Sequence, residues 1–145
     1  MSWTREAVFV VITLGVVLTI IAYNEDGIDR MAEESVTCYL RLYGTSIYEY
    51  HEKTGRWPTR IEDLAETSLP QQTEHWKGLL DDGVDVILWP KELKADPQDN
   101  ANTILVYQNK GLDAERGFHW VCWGDMRTER ISAEELQAHL KAGNR

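Results

Sequence analysis

The run AVFVVITLGVVLTIIAY, residues 7–23, holds 17 residues and no charge. Nothing else in the chain restricts its fate so strongly. An apolar stretch of this length lies at the lower edge of the bilayer-spanning range. As a straight helix it covers roughly 26 Å at about 1.5 Å per residue. Trp3 and Tyr23 bracket it, as rings that settle at a lipid–water boundary do. Ala7, Val8, Phe9, Val10, Val11, Ile12, Leu14, Val16, Val17, Leu18, Ile20 and Ile21 are therefore expected to form a membrane anchor. The competing reading is a helix buried in a soluble core, which dense Val, Ile and Thr at the extreme N-terminus disfavours. A cleaved signal peptide fits poorly. Arg5 is offset by Glu6, and Ile20-Ile21-Ala22 lacks the small residue wanted three positions before a cut. The anchor is expected to be retained.

The chain has 145 residues, enough for one domain beside such an appendage. The expected division is 1–27 for tail and anchor and 28–145 for an exported domain. Net charge is −9, and Arg5 and Glu6 cancel within the first 23 residues, so the whole excess lies in residues 24–145. An acidic domain without a basic stripe repels phosphate backbones, which argues against a nucleic-acid partner. The expected partner of the leading segment is the lipid bilayer. Arg5 precedes the apolar run, while Glu25, Asp26, Asp29, Glu33 and Glu34 follow it. That asymmetry favours a cytoplasmic N-terminus and an exported acidic domain.

From residue 28 to about 54 the pattern is helical. Val36, Tyr39, Leu40, Tyr43, Ile47 and Tyr50 recur at spacings of three and four, one apolar stripe. Core packing is the main reading of this stripe, and a ligand-binding aromatic face the lesser one. Gly55 can end the helix in a left-handed cap. Pro58 forces Trp57 out of the helical region, leaving the tryptophan free to fold onto the stripe. Thr59 and Glu62 have the spacing of a capping box, predicting a second short helix over 59–67. Residues 68–82 read as polar and turn-rich.

Downstream, Val84, Val86 and Leu88 alternate with Asp85 and Ile87, a short strand ended by Trp89-Pro90. Residues 91–98 read as a turn or a single helical turn, 103–108 as the best strand, 112–117 as a loop and 118–123 as another strand. Gly124-Asp125 starts a tight turn into a pairing strand over 126–131. Ser132 and Glu135 form a second capping-box pattern, opening a final helix to about residue 140. The expected fold class is α+β. A long N-terminal helix, membrane-spanning in one half and amphipathic in the other, packs on a small antiparallel sheet, with a short C-terminal helix.

An apolar N-terminal helix, a tyrosine-bearing amphipathic extension and then YHEKTGRWPT resemble the type IV pilins and type II secretion pseudopilins. Tyr50, Gly55, Trp57, Pro58 and Thr59 match at the helix end. Within ADPQDNANTILVYQNKG, Asp96, Pro97, Asn100 and Tyr107 match the segment where Asp-Pro precedes a polar turn and a tyrosine-bearing strand. HWVCWGDMRTERISAEELQAHL is similar to the C-terminal end of many pilin-like proteins. Asp125 there is followed by Met126 rather than Gly, so the turn is expected to use other dihedrals. No basic leader ending in Gly precedes the apolar run. Were Met1 alone removed, Glu6 would become the fifth residue, where pilins keep a glutamate that pairs with a neighbour's amine during assembly. The resemblance implies a single-pass protein of the bacterial inner membrane, with a periplasmic or extracellular domain and pilin-like self-assembly. Secretion pseudopilins also bind calcium in a later loop; residues 111–117 carry only Asp113 and Glu115 as carboxylates, so that site is not carried over.

Other constellations are weak. Cys38 and Cys122, 84 positions apart, could bridge helix and sheet, worth about 4 kcal/mol for such a loop, or stay as buried thiols. His119-x-x-Cys122 has ligand-like spacing, but the two side chains fall on opposite faces of a strand. Asp96, Asp99, Asn100 and Asn102 supply oxygens that calcium would accept, yet such residues are ordinary turn formers. No cofactor is expected, and no nucleophile elbow or phosphate-cradling loop is present. Two functions compete. The first is a non-enzymatic, pilin-like structural subunit, in which Gly15 allows close helix approach. The second is a single-pass tethered module that binds a protein or polysaccharide through an exposed face carrying Trp120 and Trp123.

Overall fold

The computed structural model describes residues 3–89 and 93–142, with side chains described from Gly27 and Arg30 onward. The element order is α1 (Trp3–Thr54), a 3-10 helix (Ile61–Glu66), α2 (Pro70–Asp81), β1 (Asp85–Ile87), a 3-10 helix (Pro97–Asn100), β2 (Ile104–Gln108), the single turn α3 (Leu112–Glu115), β3 (Phe118–Trp123), β4 (Thr128–Ser132) and α4 (Ala133–Lys141). The fold class is α+β, with one four-stranded antiparallel sheet in the order β1-β2-β3-β4. Two compact units are present, Met1–Ser35 and Val36–Arg145.

In the first unit the backbone of the expected anchor is helical. The side chains of Ala7 through Ile21, and that of Glu6, lie outside the described residues. Among the described residues no helix is long and apolar enough to cross a membrane. Residues 30–35 are all exposed.

In the second unit the stripe does what its period demands. Leu40, Tyr43, Ile47 and Tyr50 are buried together with Ile87, Leu105, Val106, Trp120 and Cys122 from one face of the sheet. Ile104, Val121, Trp123 and Ile131 point to the other face, where Leu136 of α4 covers them. The strands therefore bury both faces. A bulge between Ile104 and Val106 contributes to this. It sets one extra residue on β2, so Leu105 and Val106 both reach the α1 side while Ile104 reaches the α4 side.

Gly55 takes φ +70, and its N–H donates to the His51 carbonyl at 2.7 Å. This is the left-handed cap expected of it. Pro58 is fully buried. Trp57 folds back as expected, stacked on His51 at 3.8 Å and edge-on to Tyr48 at 5.4 Å. The capping-box expectation fails in detail. The following helix is a 3-10 helix whose N-cap is Arg60, and Thr59 lies outside it. Asp63 rather than Glu62 reaches back, accepting from the Thr59 N–H at 2.8 Å and the Thr59 hydroxyl at 3.2 Å. The helix starts one residue later than expected, so Asp63 rather than Glu62 is the third residue after the N-cap and the one that reaches back. Burial works to raise the Asp63 carboxyl, but those donors and the Arg60 guanidinium outweigh it and hold it below its ordinary value.

Residues 68–82, read as turns, form α2. Pro70 starts it at the first helical position, where a missing N–H costs nothing. Gly83, at φ +65, ends it: its N–H donates to Leu80 O, and the Val84 N–H to Leu79 O. That paired bonding is a Schellman cap. The polar surface of α2 hid its short inner row, Thr73, Trp76 and Leu80. Residues 112–117, read as a loop, contain the single turn α3. The C-terminal helix matches expectation, with the Glu135 N–H donating to Ser132 Oγ at 3.1 Å.

Candidate functional site

Two buried polar clusters tie the helix to the sheet. The first centres on Asp85, only 1% exposed although it sits on the edge strand β1. Tyr39 and Tyr43 lie one helical turn apart on α1, so both phenols reach the same point. The Tyr39 hydroxyl donates to Asp85 Oδ1 at 2.8 Å, and the Tyr43 hydroxyl to Oδ2 at 3.1 Å. Gln108, opposite Asp85 in the strand register, donates through Nε2 to the Tyr39 oxygen at 3.3 Å. Among the described residues, no Lys or Arg forms an ion pair with this carboxylate. Burial pushes the Asp85 carboxyl above its usual range, against the lowering effect of the two phenols and the His75 charge. Burial, with the Asp85 charge next to them, also drives both phenols far above the ordinary tyrosine value. Sequence reading placed Asp85 on the strand face opposite Val84, Val86 and Leu88, which is correct. It did not mark that face as interior, although Ile87 two residues on shares it.

The second cluster centres on Asn100, 4% exposed. Its oxygen accepts from the Lys94 N–H at 3.0 Å. Its Nδ2 donates to the Tyr48 oxygen and the Lys94 carbonyl, each at 2.8 Å, and to the Asp96 carbonyl at 3.1 Å. The Tyr48 hydroxyl passes the chain on to the Gly124 carbonyl at 2.7 Å. Asp96 caps the 3-10 turn, accepting from the Gln98 N–H at 2.9 Å, and Pro97 is its first residue. Asp96 Oδ1 and the Asn100 side-chain oxygen are thus already employed in the turn. Of the calcium candidates, only Asn100 is buried.

The other sequence-singled residues are dispersed. Tyr50 is in the helix–sheet core, beside the Gly55–Trp57–Pro58 corner. Tyr107 packs on the α4 side and meets His119 edge-on at 6.3 Å. Asp125 is in the β3–β4 turn, accepting from the Arg127 N–H at 3.1 Å. The expectation of unusual dihedrals there is corrected: Met126 takes φ +68, the left-handed conformation a glycine would supply. Its thioether is held against Gly44, where an added Cβ would lie 2.7 Å from the sulfur. Contact with α1 thus offsets the backbone cost of a side chain at that φ.

Both cysteines are free, Cys38 exposed and Cys122 buried, so no bridge joins them in this structure. Burial raises the Cys122 thiol to about 12. His119 and Cys122 fall on opposite sheet faces, and His119 Nδ1 instead meets the Gln108 carbonyl at 2.9 Å. Among the described residues no group of three or more His, Cys, Asp and Glu could hold a metal ion.

The proposed tryptophan face is corrected outright. Trp120 is 7% exposed and Trp123 is 4% exposed, on opposite sides of the sheet. Trp120 Nε1 donates to Asp113 Oδ2 at 2.8 Å, and Arg130 holds the other oxygen of that carboxylate at 2.8 Å. Both rings are structural.

No family model, curated protein or solved structure matches this chain. Its function is therefore argued from its own residues. Each cluster joins α1 to a different part of the sheet domain: the Asp85 cluster to β1 and β2, the Asn100 cluster to the 93–103 segment and the β3–β4 turn. Neither sets a nucleophile beside a base. What they supply is directional fixing of the helix, which an apolar stripe alone leaves free to slide.

Proposed function

We propose that the chain is a membrane-anchored, non-enzymatic structural subunit of pilin or secretion-pseudopilin type. Residues 7–23 anchor it in a bacterial inner membrane, the short N-terminal tail stays cytoplasmic, and the α+β domain stands on the outer side. The observation that carries this reading is the order of parts along one helix. The uncharged run comes first, followed by a stripe that clamps an antiparallel sheet and a left-handed glycine cap with a folded-back tryptophan. Polar bonding at Asp85 and Asn100 adds support, since a subunit that transmits load from an anchor needs a helix that cannot rotate within its domain. In this reading neighbouring anchors pack through Val and Ile around Gly15, while the acidic domains tile outside. The tethered-module alternative relied on Trp120 and Trp123 as a contact face, and their burial leaves it without one.

Assembly is tested by disulfide scanning in native membranes. Single cysteines are placed through residues 7–23 in a Cys38→Ser background; Cys122 is kept, being buried and reluctant to ionise. Oxidation is expected to yield multimer ladders from one helical face. Monomers alone at every position would exclude assembly through the anchor.

A further inference from the structure

The two edges of the sheet are not alike. β1 has three residues and points the Asp85 carboxyl inward. Short length and an inward charge both discourage another strand from pairing there. β4 has five residues in unbroken register with β3, and none of them is proline. Among the described residues no strand pairs with its outer side. The ladder fixes where its backbone groups point. The Trp123 N–H donates to Arg127 O at 2.8 Å, and the Ala133 N–H to Gly117 O at 2.9 Å. Val121 stands opposite Glu129, and His119 opposite Ile131. Antiparallel alternation therefore turns Glu129 and Ile131 toward β3. The N–H and C=O groups of Thr128 and Arg130 point outward, and they have no partner among the described residues.

The charges beside this edge do not block it. The Arg130 guanidinium lies over the Phe118 ring, 4.0 Å from its centroid. Its Nε and Nη2 meet Asp113 Oδ1 at 3.0 and 2.8 Å, which leaves Nη1 without a partner among the described residues. A guanidinium held in this way is ready to receive a second carboxylate. Phe118 and Leu112 add exposed apolar surface, Leu112 next in sequence to Asp113. Glu129, on the other face, is already paired with Arg127 at 3.0 Å.

We propose that the outer edge of β4 receives an extended segment of another protein as a fifth strand, with an acidic residue of that segment facing Arg130. A second copy of β4 fits poorly. The two-fold register that uses all five residues sets Arg130 opposite its own counterpart, and a centre at Glu129 sets two glutamates opposite each other. A centre at Ile131 runs into α4. A segment with a carboxylate opposite Arg130 has none of these conflicts, and its backbone satisfies Thr128 and Arg130. The inference stands on the sheet alone and is separate from the membrane-anchored reading.

The test uses the full chain in detergent with a probe strand appended after Arg145 through a flexible Gly/Ser linker, which holds the probe at roughly millimolar effective concentration. The probe alternates Thr and Val around one central Asp. A second version carries Lys in place of that Asp, and a third has alternate residues replaced by Pro, which cannot pair. Amide exchange at Thr128 and Arg130 is followed by NMR, with Asp85 and Ile87 on β1 as the internal control. The Asp probe is expected to slow exchange at Thr128 and Arg130 about tenfold relative to the Lys probe, the factor that one charge-assisted hydrogen bond supplies, and to leave β1 unchanged. Exchange no slower with the Asp probe than with the Pro probe would overturn the docking edge. Equal slowing by the Asp and Lys probes would overturn the acidic partner.

Discussion

Replacing Trp76 by alanine is expected to cost about 4 kcal/mol, the range found for emptying a buried aromatic site. Trp76 is 2% exposed and lies stacked on the Tyr43 ring, centroids 4.4 Å apart and planes 28° from parallel. It is the main apolar anchor of α2, the only buried partner on that helix being Thr73. Its loss removes both the packing of α2 and the support behind Tyr43, whose hydroxyl serves Asp85. A domain of this size has about 5–15 kcal/mol in total, so the variant is expected to melt lower by roughly 15 °C. Leu69, one residue before α2 and 69% exposed, is the control: its alanine variant is expected to stay within about 0.5 kcal/mol of wild type. Urea unfolding of the three proteins decides. Equal midpoints for wild type and the Trp76 variant would mean that α2 is not docked on α1.

A single methyl group at Gly124 is expected to cost about 3 kcal/mol. A Cβ there would lie 2.5 Å from the carbonyl oxygen of Asn100 and 2.4 Å from its Cβ. The oxygen belongs to the backbone, so no rotamer relieves the contact. The 3-10 turn at Pro97–Asn100 must move, and with it the bonds from the Gly124 N–H to Thr103 O and from the Tyr48 hydroxyl to Gly124 O. Gly78 provides the opposite case within the same chain. It lies inside α2, and an added Cβ meets nothing within 4 Å. Alanine there is expected to stabilise by about 0.8 kcal/mol through helix propensity. Thermal melts should place Gly78→Ala above wild type and Gly124→Ala well below it. A Gly124→Ala protein as stable as wild type would refute the close approach of the two loops.

Much of this domain is legible in residue spacing. The α1 stripe, the Gly55 cap, the three longer strands and the Ser132 cap each follow from a local rule, and each local rule agrees with the tertiary packing. The differences have separate causes. α2 shows a mostly polar surface and has few inward residues, so periodicity was weak, while its Pro start and Gly stop were stronger signals than its composition. The Asp63 cap differs from the Glu62 expectation because the helix begins one residue later, with Arg60 rather than Thr59 at its N-cap. A tryptophan-rich strand makes Trp120 and Trp123 candidates for an exposed face in the tethered-module reading. Yet a sheet covered by α1 on one face and α4 on the other has no open centre. Asp85 and Asn100 were hardest to foresee. Tyr39, which donates to Asp85, and Tyr48, which accepts from Asn100, lie 46 and 52 positions away in sequence, so only the folded chain brings them together.

The account rests on the leading apolar run residing in lipid while the domain beyond it folds around the continuation of the same helix. The direct measurement is alkaline carbonate extraction of membranes from cells making the full chain, with and without charges introduced at Val11 and Val17. Wild type is expected to stay in the membrane pellet, and the doubly charged variant to move to the supernatant, each inserted charge costing about 2.5–3.5 kcal/mol at mid-helix. Intact wild-type protein in the supernatant would contradict the account.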